Sequence, residues 1–156
     1  MITGKLKFTS NKIDVIDPCY DKDVWCRMTV DIVPGVYDYE VITDAADGWG
    51  KRCRYISIIR EDVGPTRRGL RIGEICVDAG LAGFFENKPD YDCDAWDKVC
   101  DSLYGSPRVI ATDKDDKTPF GCECVFCSSG FGDGTYDVRQ LLDLRGQVVG
   151  YEIKFF

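Results

Sequence analysis

The run Cys122-Glu123-Cys124-Val125-Phe126-Cys127-Ser128-Ser129-Gly130-Phe131-Gly132-Asp133-Gly134-Thr135-Tyr136-Asp137-Val138 decides how the fold is read. Its first six residues have the apolar density of a strand. Three glycines at alternate positions then give a backbone free to take positive φ, and Asp133-Gly134 is a turn dipeptide. A second strand leaves toward Val138. The stretch predicts an elaborated β-hairpin connection.

Working outward, the C-terminal Val148-Val149-Gly150-Tyr151-Glu152-Ile153-Lys154-Phe155-Phe156 puts Val149, Tyr151, Ile153 and Phe155 on one face, with Glu152 and Lys154 opposite. Upstream, residues 26–33 and 36–43 flank Pro34-Gly35 and predict a meander that turns again at Ala46-Asp47-Gly48-Trp49-Gly50. The next strand, 52–60, places Arg52, Arg54 and Arg60 on the face of Ile56 and Ile58. Residues 64–69 read as a loop, 70–78 as a strand, and Ala79-Gly80 as an interruption before Leu81-Ala82-Gly83-Phe84-Phe85. The chain begins with short strands at 5–9 and 13–16, stopped by Asp17-Pro18 because proline disfavours helix before it and donates no hydrogen bond. The single helical pattern spans about 91–104: Asp90 or Asp92 caps it, Trp96, Val99, Cys100 and Leu103 repeat at helical spacing, and Gly105 stands where a C-cap glycine belongs. The fold class expected is α+β, mostly β: a twisted antiparallel sheet, β-sandwich or partly open barrel with that amphipathic helix packed on it, in one domain over 1–156.

The 156 residues suffice for a sizeable core, and no window has the roughly 20 apolar residues of a membrane helix. A net charge of −7 argues against nonspecific binding to nucleic acid or anionic membrane. Nine cysteines, an odd number, with no export signal at Met1-Ile2-Thr3-Gly4-Lys5, read as reduced thiols in the cytoplasm of a bacterial cell. The chain has no histidine, which removes the usual base of Ser and Cys hydrolases and the His-containing metal motifs.

Two groups of residues invite a site. Lys51, Arg52, Arg54, Arg60, Arg67, Arg68 and Arg71 form a basic island against Glu61 and Asp62, either a solvated edge or an arginine-lined anion site, since the guanidinium fork suits phosphate. Asp17, Asp78 and Asp133 each stand beside turn-forming residues, and each is either a structural carboxylate or a site residue with Tyr20 nearby. Of two superficial metal signals, the Asp113, Asp115 and Asp116 tract lacks the glycine and late glutamate of an EF-hand loop. In the other, Cys122 and Cys124 share a strand face that Cys127 does not, which favours packed thiols over zinc.

Three pieces, Ile16-Asp17-Pro18-Cys19-Tyr20, Val77-Asp78-Ala79-Gly80 with Gly83, and Ser128 to Tyr136 followed by Gly146-Gln147-Val148-Val149, together resemble an uncharacterised, domain-of-unknown-function family of small bacterial and phage proteins. The resemblance implies a phage or bacterial origin and brings no activity. The function expected is non-catalytic binding of an anionic, nucleotide-like ligand, such as a host-defence signal sequestered by a phage protein. The ligand set would be Arg52, Arg54, Arg67, Arg68, Tyr20, Ser129, Gly132, Asp133 and Tyr136, with no cofactor. One alternative is a metal-assisted phosphodiesterase in which Asp17, Asp78 and Asp133 hold a divalent cation. Another is a protein-interaction module for a host protein. Oligomeric state is left open.

Overall fold

The computed structural model describes residues 1–102, 109–112 and 120–156, the backbone alone at 102 and 109–112. Gly105 and the 113–117 tract lie outside the described residues. The elements are β1 Ile2–Phe8, β2 Lys12–Ile16, β3 Met28–Asp31, β4 Gly35–Ala46, β5 Gly50–Arg60, β6 Arg67–Val77, β7 Leu81–Phe85, α1 Cys93–Ser102, β8 Val109–Thr112, β9 Cys124–Ser128, β10 Gly134–Leu142 and β11 Val148–Lys154. They form two antiparallel sheets, β1-β4-β5-β11-β10-β6 and β3-β2-β7-β9-β8, packed as an open sandwich.

The chain changes sheet after β1, β3, β6 and β9. The glycine stretch is therefore not a hairpin: β9 pairs with β7 and β8, β10 pairs with β6 and β11, and residues 129–133 carry the chain across the sandwich. Pro34-Gly35 is likewise a crossing, because β3 pairs with β2 while β4 pairs with β1 and β5. Each crossing joins strands of correct period whose partners lie elsewhere in the chain. The turn at 47–49 does close a hairpin, with Ala46 opposite Gly50.

Two local expectations also change. Arg67, Arg68 and Gly69 belong to β6, where Arg67 and Arg68 face Leu142 and Leu141. On β5 the register slips between Ile42 and Thr43, so Arg54 is the extra residue of a bulge. Cys53, not Arg54, then joins Ile56 and Ile58 in the core.

The core between the sheets contains Leu6, Phe8, Ile56, Ile58, Phe84, Val125, Cys127, Val138 and Ile153. A second, smaller core forms on the outer face of the second sheet, where Val99 and Trp96 of α1 meet Ile16, Leu81, Phe85, Cys124 and Phe126. Covered on both faces, β7 is buried along its whole length. Asp92 caps α1 through the Ala95 N–H at 2.8 Å, and Cys100, expected inside, is exposed. Cys124 faces the small core and Cys127 the large one, and all nine cysteines are free thiols. No helix among the described residues is long and apolar enough to cross a membrane.

The first crossing is strapped by two buried glutamates. Glu86 accepts hydrogen bonds from the N–H groups of Thr9, at 2.6 Å, and Ser10, and Glu123 accepts one from Lys7. Glu86→Ala leaves two partly buried amides without their carboxylate and is expected to cost about 1–3 kcal/mol, read from the urea midpoint at unchanged slope. A shift below the error of that measurement overturns the strap.

Candidate functional site

The three aspartate turns meet at one end of the sandwich. β2 ends at Ile16, and Asp17, 0% exposed, receives three backbone N–H groups: Cys19 at 2.9 Å on Oδ1, then Asp78 at 2.9 Å and Ala79 at 2.7 Å on Oδ2. This latches the 17–20 turn to the 78–80 crossing. Gly80 takes φ 68° there, and its carbonyl accepts the Ser129 N–H at 2.9 Å. A Cβ built on Gly80 would lie 3.7 Å from Gly132 Cα and 4.0 Å from Asp133 Oδ1, so the glycine crossing sits directly on this turn.

That crossing is closed by its own hydrogen bonds. The Gly130 N–H donates to Ser128 O, the Gly132 N–H to Ser129 O, and the Ser129 hydroxyl to Gly132 O at 2.7 Å. The Tyr136 hydroxyl lies 2.8 Å from Ser129 O and 2.6 Å from Gly132 O. The amides of Ser129, Gly130 and Gly132 are therefore committed inside the protein. Ser129, Gly132 and Tyr136 act as a brace, and Asp133 stands exposed at its tip.

Against this brace lies an aromatic surface. A Cβ on Gly130 would come within 2.9 Å of Phe155 Cβ and 3.2 Å of Cys53 O, which fixes the crossing on β5 and the C-terminus. Trp49, from the β4–β5 turn, meets Phe131 edge-on at 5.9 Å, and Phe131 meets Phe156 at 5.1 Å. Trp49 is 62% and Phe131 51% exposed. Arg52 lies against them, donating from Nε to Trp49 O at 3.0 Å, and Arg54, two positions further along β5, pairs with Asp44 at 2.9 Å. Sequence reasoning does not single out Phe156, because a terminal aromatic carries no sign of what it touches.

The arginine island is divided. The partners Arg68, Leu141, Gly150 and Ile59 lie level across the sheet, which offsets the Arg68 backbone from that of Arg54 by five positions along the strand direction, roughly 17 Å at strand rise, although its long side chain reaches back across the sheet. Arg68 forms a two-point ion pair with the buried Glu152 at 2.9 and 3.0 Å and lies over the Tyr55 ring. Arg71 is held by Asp137 and Glu74. Arg67 lines the outer face of the first sheet beside Glu40 and Ser57, away from the brace.

Three titratable groups at the corner hold their protons more tightly than usual. Burial, with Asp17 and Asp78 adding negative charge, pushes the Cys19 thiol up to about 12. Burial and the neighbouring Cys26 raise the Tyr20 phenol, and burial raises Tyr136. All three are protonated near neutrality. A hydrogen bond from Cys127 lowers Cys53 to about 7 against the effect of burial, but Cys53 is sealed in the core. Among the described residues no three His, Cys, Asp or Glu side chains are arranged to hold a metal ion.

A scan of the chain against protein-family models found no match, and neither did searches of curated proteins and of solved structures.

Proposed function

We propose that the protein is a non-catalytic binding module whose contact surface is the aromatic end of the sandwich, taking a ligand that carries a planar ring and an anionic group, as a nucleotide does. The observation that carries this reading is the half-exposed Trp49 and Phe131 pair, mounted on a hydrogen-bonded brace with Arg52 bonded to the Trp49 carbonyl and Arg54 two positions along the same strand. Exposed rings on a rigid support offer stacking without an ordering cost, and guanidinium groups supply charge-assisted bonds to phosphate. Arg67 and Arg68 fall outside this surface. The phosphodiesterase alternative loses Asp17, whose oxygens are buried and already engaged. Sequestration of a nucleotide signal by a phage-encoded protein fits this kind of module.

The test is to incubate the protein with a nucleotide panel, remove excess, denature by heat and identify what is released. Intact nucleotide supports the reading, and cleaved nucleotide supports an enzyme. Retention of none overturns nucleotide binding in favour of a protein partner. For a retained nucleotide, Trp49→Ala and Arg54→Ala are each expected to weaken affinity by about 1–3 kcal/mol. Unchanged affinity in both variants removes this surface as the site.

A further inference from the structure

A second, polar cavity lies at the other end of β2. The outer face of the second sheet is covered by α1 only over the small core, and beyond that cover a cavity of about 290 Å³ opens, lined by Lys12, Asp14, Lys22, Arg27, Thr29 and Asn87. Of its three cations, Arg27 is paired with Asp14 and Lys12 with Asp31, and the Lys22 backbone N–H donates to Asp90 Oδ1 at 3.0 Å, which leaves the Lys22 ammonium as the cation with no ion pair among the described residues. Sequence reading passes over it because its cations come from residues 12, 22 and 27, too scattered to form a run.

The recess is organised before any ligand arrives. Asp14 is only 8% exposed, and its Oδ1 accepts from Arg27 Nη2 at 2.6 Å and from the Thr29 hydroxyl at 3.0 Å. The carboxylate thus fixes the guanidinium through one nitrogen. Arg27 donates no second hydrogen bond among the described residues, so the rest of its fork remains available. Lys22 is exposed and forms no ion pair among the described residues, while Lys12 is paired with Asp31 at 2.6 Å. Asn87 adopts φ 51°, a left-handed turn conformation that asparagine takes more readily than most residues, and its side-chain amide donates to Ser10 Oγ at 3.3 Å.

We infer that this recess binds a phosphate group, as a phosphate monoester of a small molecule. The partly engaged Arg27 guanidinium and the Lys22 ammonium line one small space, and donors of these two kinds match a compact dianion. At about 290 Å³ the cavity stands at the lower edge of the roughly 300–1,000 Å³ of small-molecule pockets, room for one phosphate and a short carbon skeleton. The site is separate from the aromatic end: Lys12 and Asp17 lie at opposite ends of β2, five positions apart, roughly 17 Å.

Calorimetric titration of the full chain with glycerol 3-phosphate and with inorganic phosphate tests the assignment. Binding of the ester is expected, weakened about tenfold or more by Lys22→Ala, a surface change that leaves folding intact, and unaffected by Trp49→Ala. Arg27→Lys keeps the charge beside Asp14 but loses the fork, and is expected to weaken binding by a similar factor. Tighter binding of the ester supports a small phosphorylated molecule, whereas equal or tighter binding of inorganic phosphate replaces it with the free anion. No heat from either probe at millimolar concentration, or equal affinity in wild type and Lys22→Ala, overturns the site. Because Trp49→Ala and Lys22→Ala act on different surfaces, failure here is distinguishable from failure of nucleotide binding at the aromatic end.

Discussion

Asp17→Asn is expected to destabilise the protein by about 3–5 kcal/mol, a large part of the roughly 5–15 kcal/mol that holds a domain folded. The carboxylate is fully buried and accepts the N–H groups of Cys19, Asp78 and Ala79. An amide has one acceptor oxygen. If that oxygen keeps Asp78 and Ala79, the NH₂ group meets the Cys19 N–H, donor against donor. Each amide left unpaired away from water costs about 1–3 kcal/mol, and the bonds lost are charge-assisted. Urea denaturation measures the loss. A carboxylate retained for a metal or ligand behaves oppositely, because neutralising it leaves stability unchanged or raises it. A loss below about 1 kcal/mol therefore returns Asp17 to the list of site residues.

Gly83→Ala is expected to cost more than about 3 kcal/mol, at or beyond the upper end of ordinary overpacking. Gly83 is paired with Ile16 on one side and Phe126 on the other. A Cβ there would lie 2.1 Å from Val125 O and 2.5 Å from Phe126 Cα, so backbone has to move in the middle of a sheet covered on both faces. Gly132→Ala is the control. Its φ of 104° strains an alanine, but nothing lies within 4 Å of the new carbon, so a smaller loss of about 1–2 kcal/mol is expected. Equal thermal shifts in the two variants overturn the close-approach argument.

Those two glycines mark the limit of what was legible. The pattern at 130–134 advertises backbone freedom, and the structure uses it at Gly130, Gly132 and Gly134. Gly83 sits in an ordinary strand, and its need for a bare Cα comes from Phe126, forty-three positions away (126 − 83). The same holds at the corner. Asp17 beside Pro18 reads as a turn residue, but two of its three hydrogen bonds come from 61 and 62 positions away. The arginine island looked continuous in sequence. In space the bulge at Arg54 turns that side chain out of the core face, and Glu152, on the last strand, claims Arg68.

The sequence by itself determined the mostly β character, the position of most strands, the apolar face of 149–155 and the exclusion of histidine chemistry, because alternation, turn residues and composition act within a few positions along the chain. Only the tertiary structure decided that the chain crosses between two sheets four times, that three aspartate turns and an aromatic pair share one end, and that Lys12, Lys22 and Arg27 enclose a recess. A period of two states which face a residue occupies and is silent about which strand lies beside it. That choice is made by burial summed over both faces of both sheets.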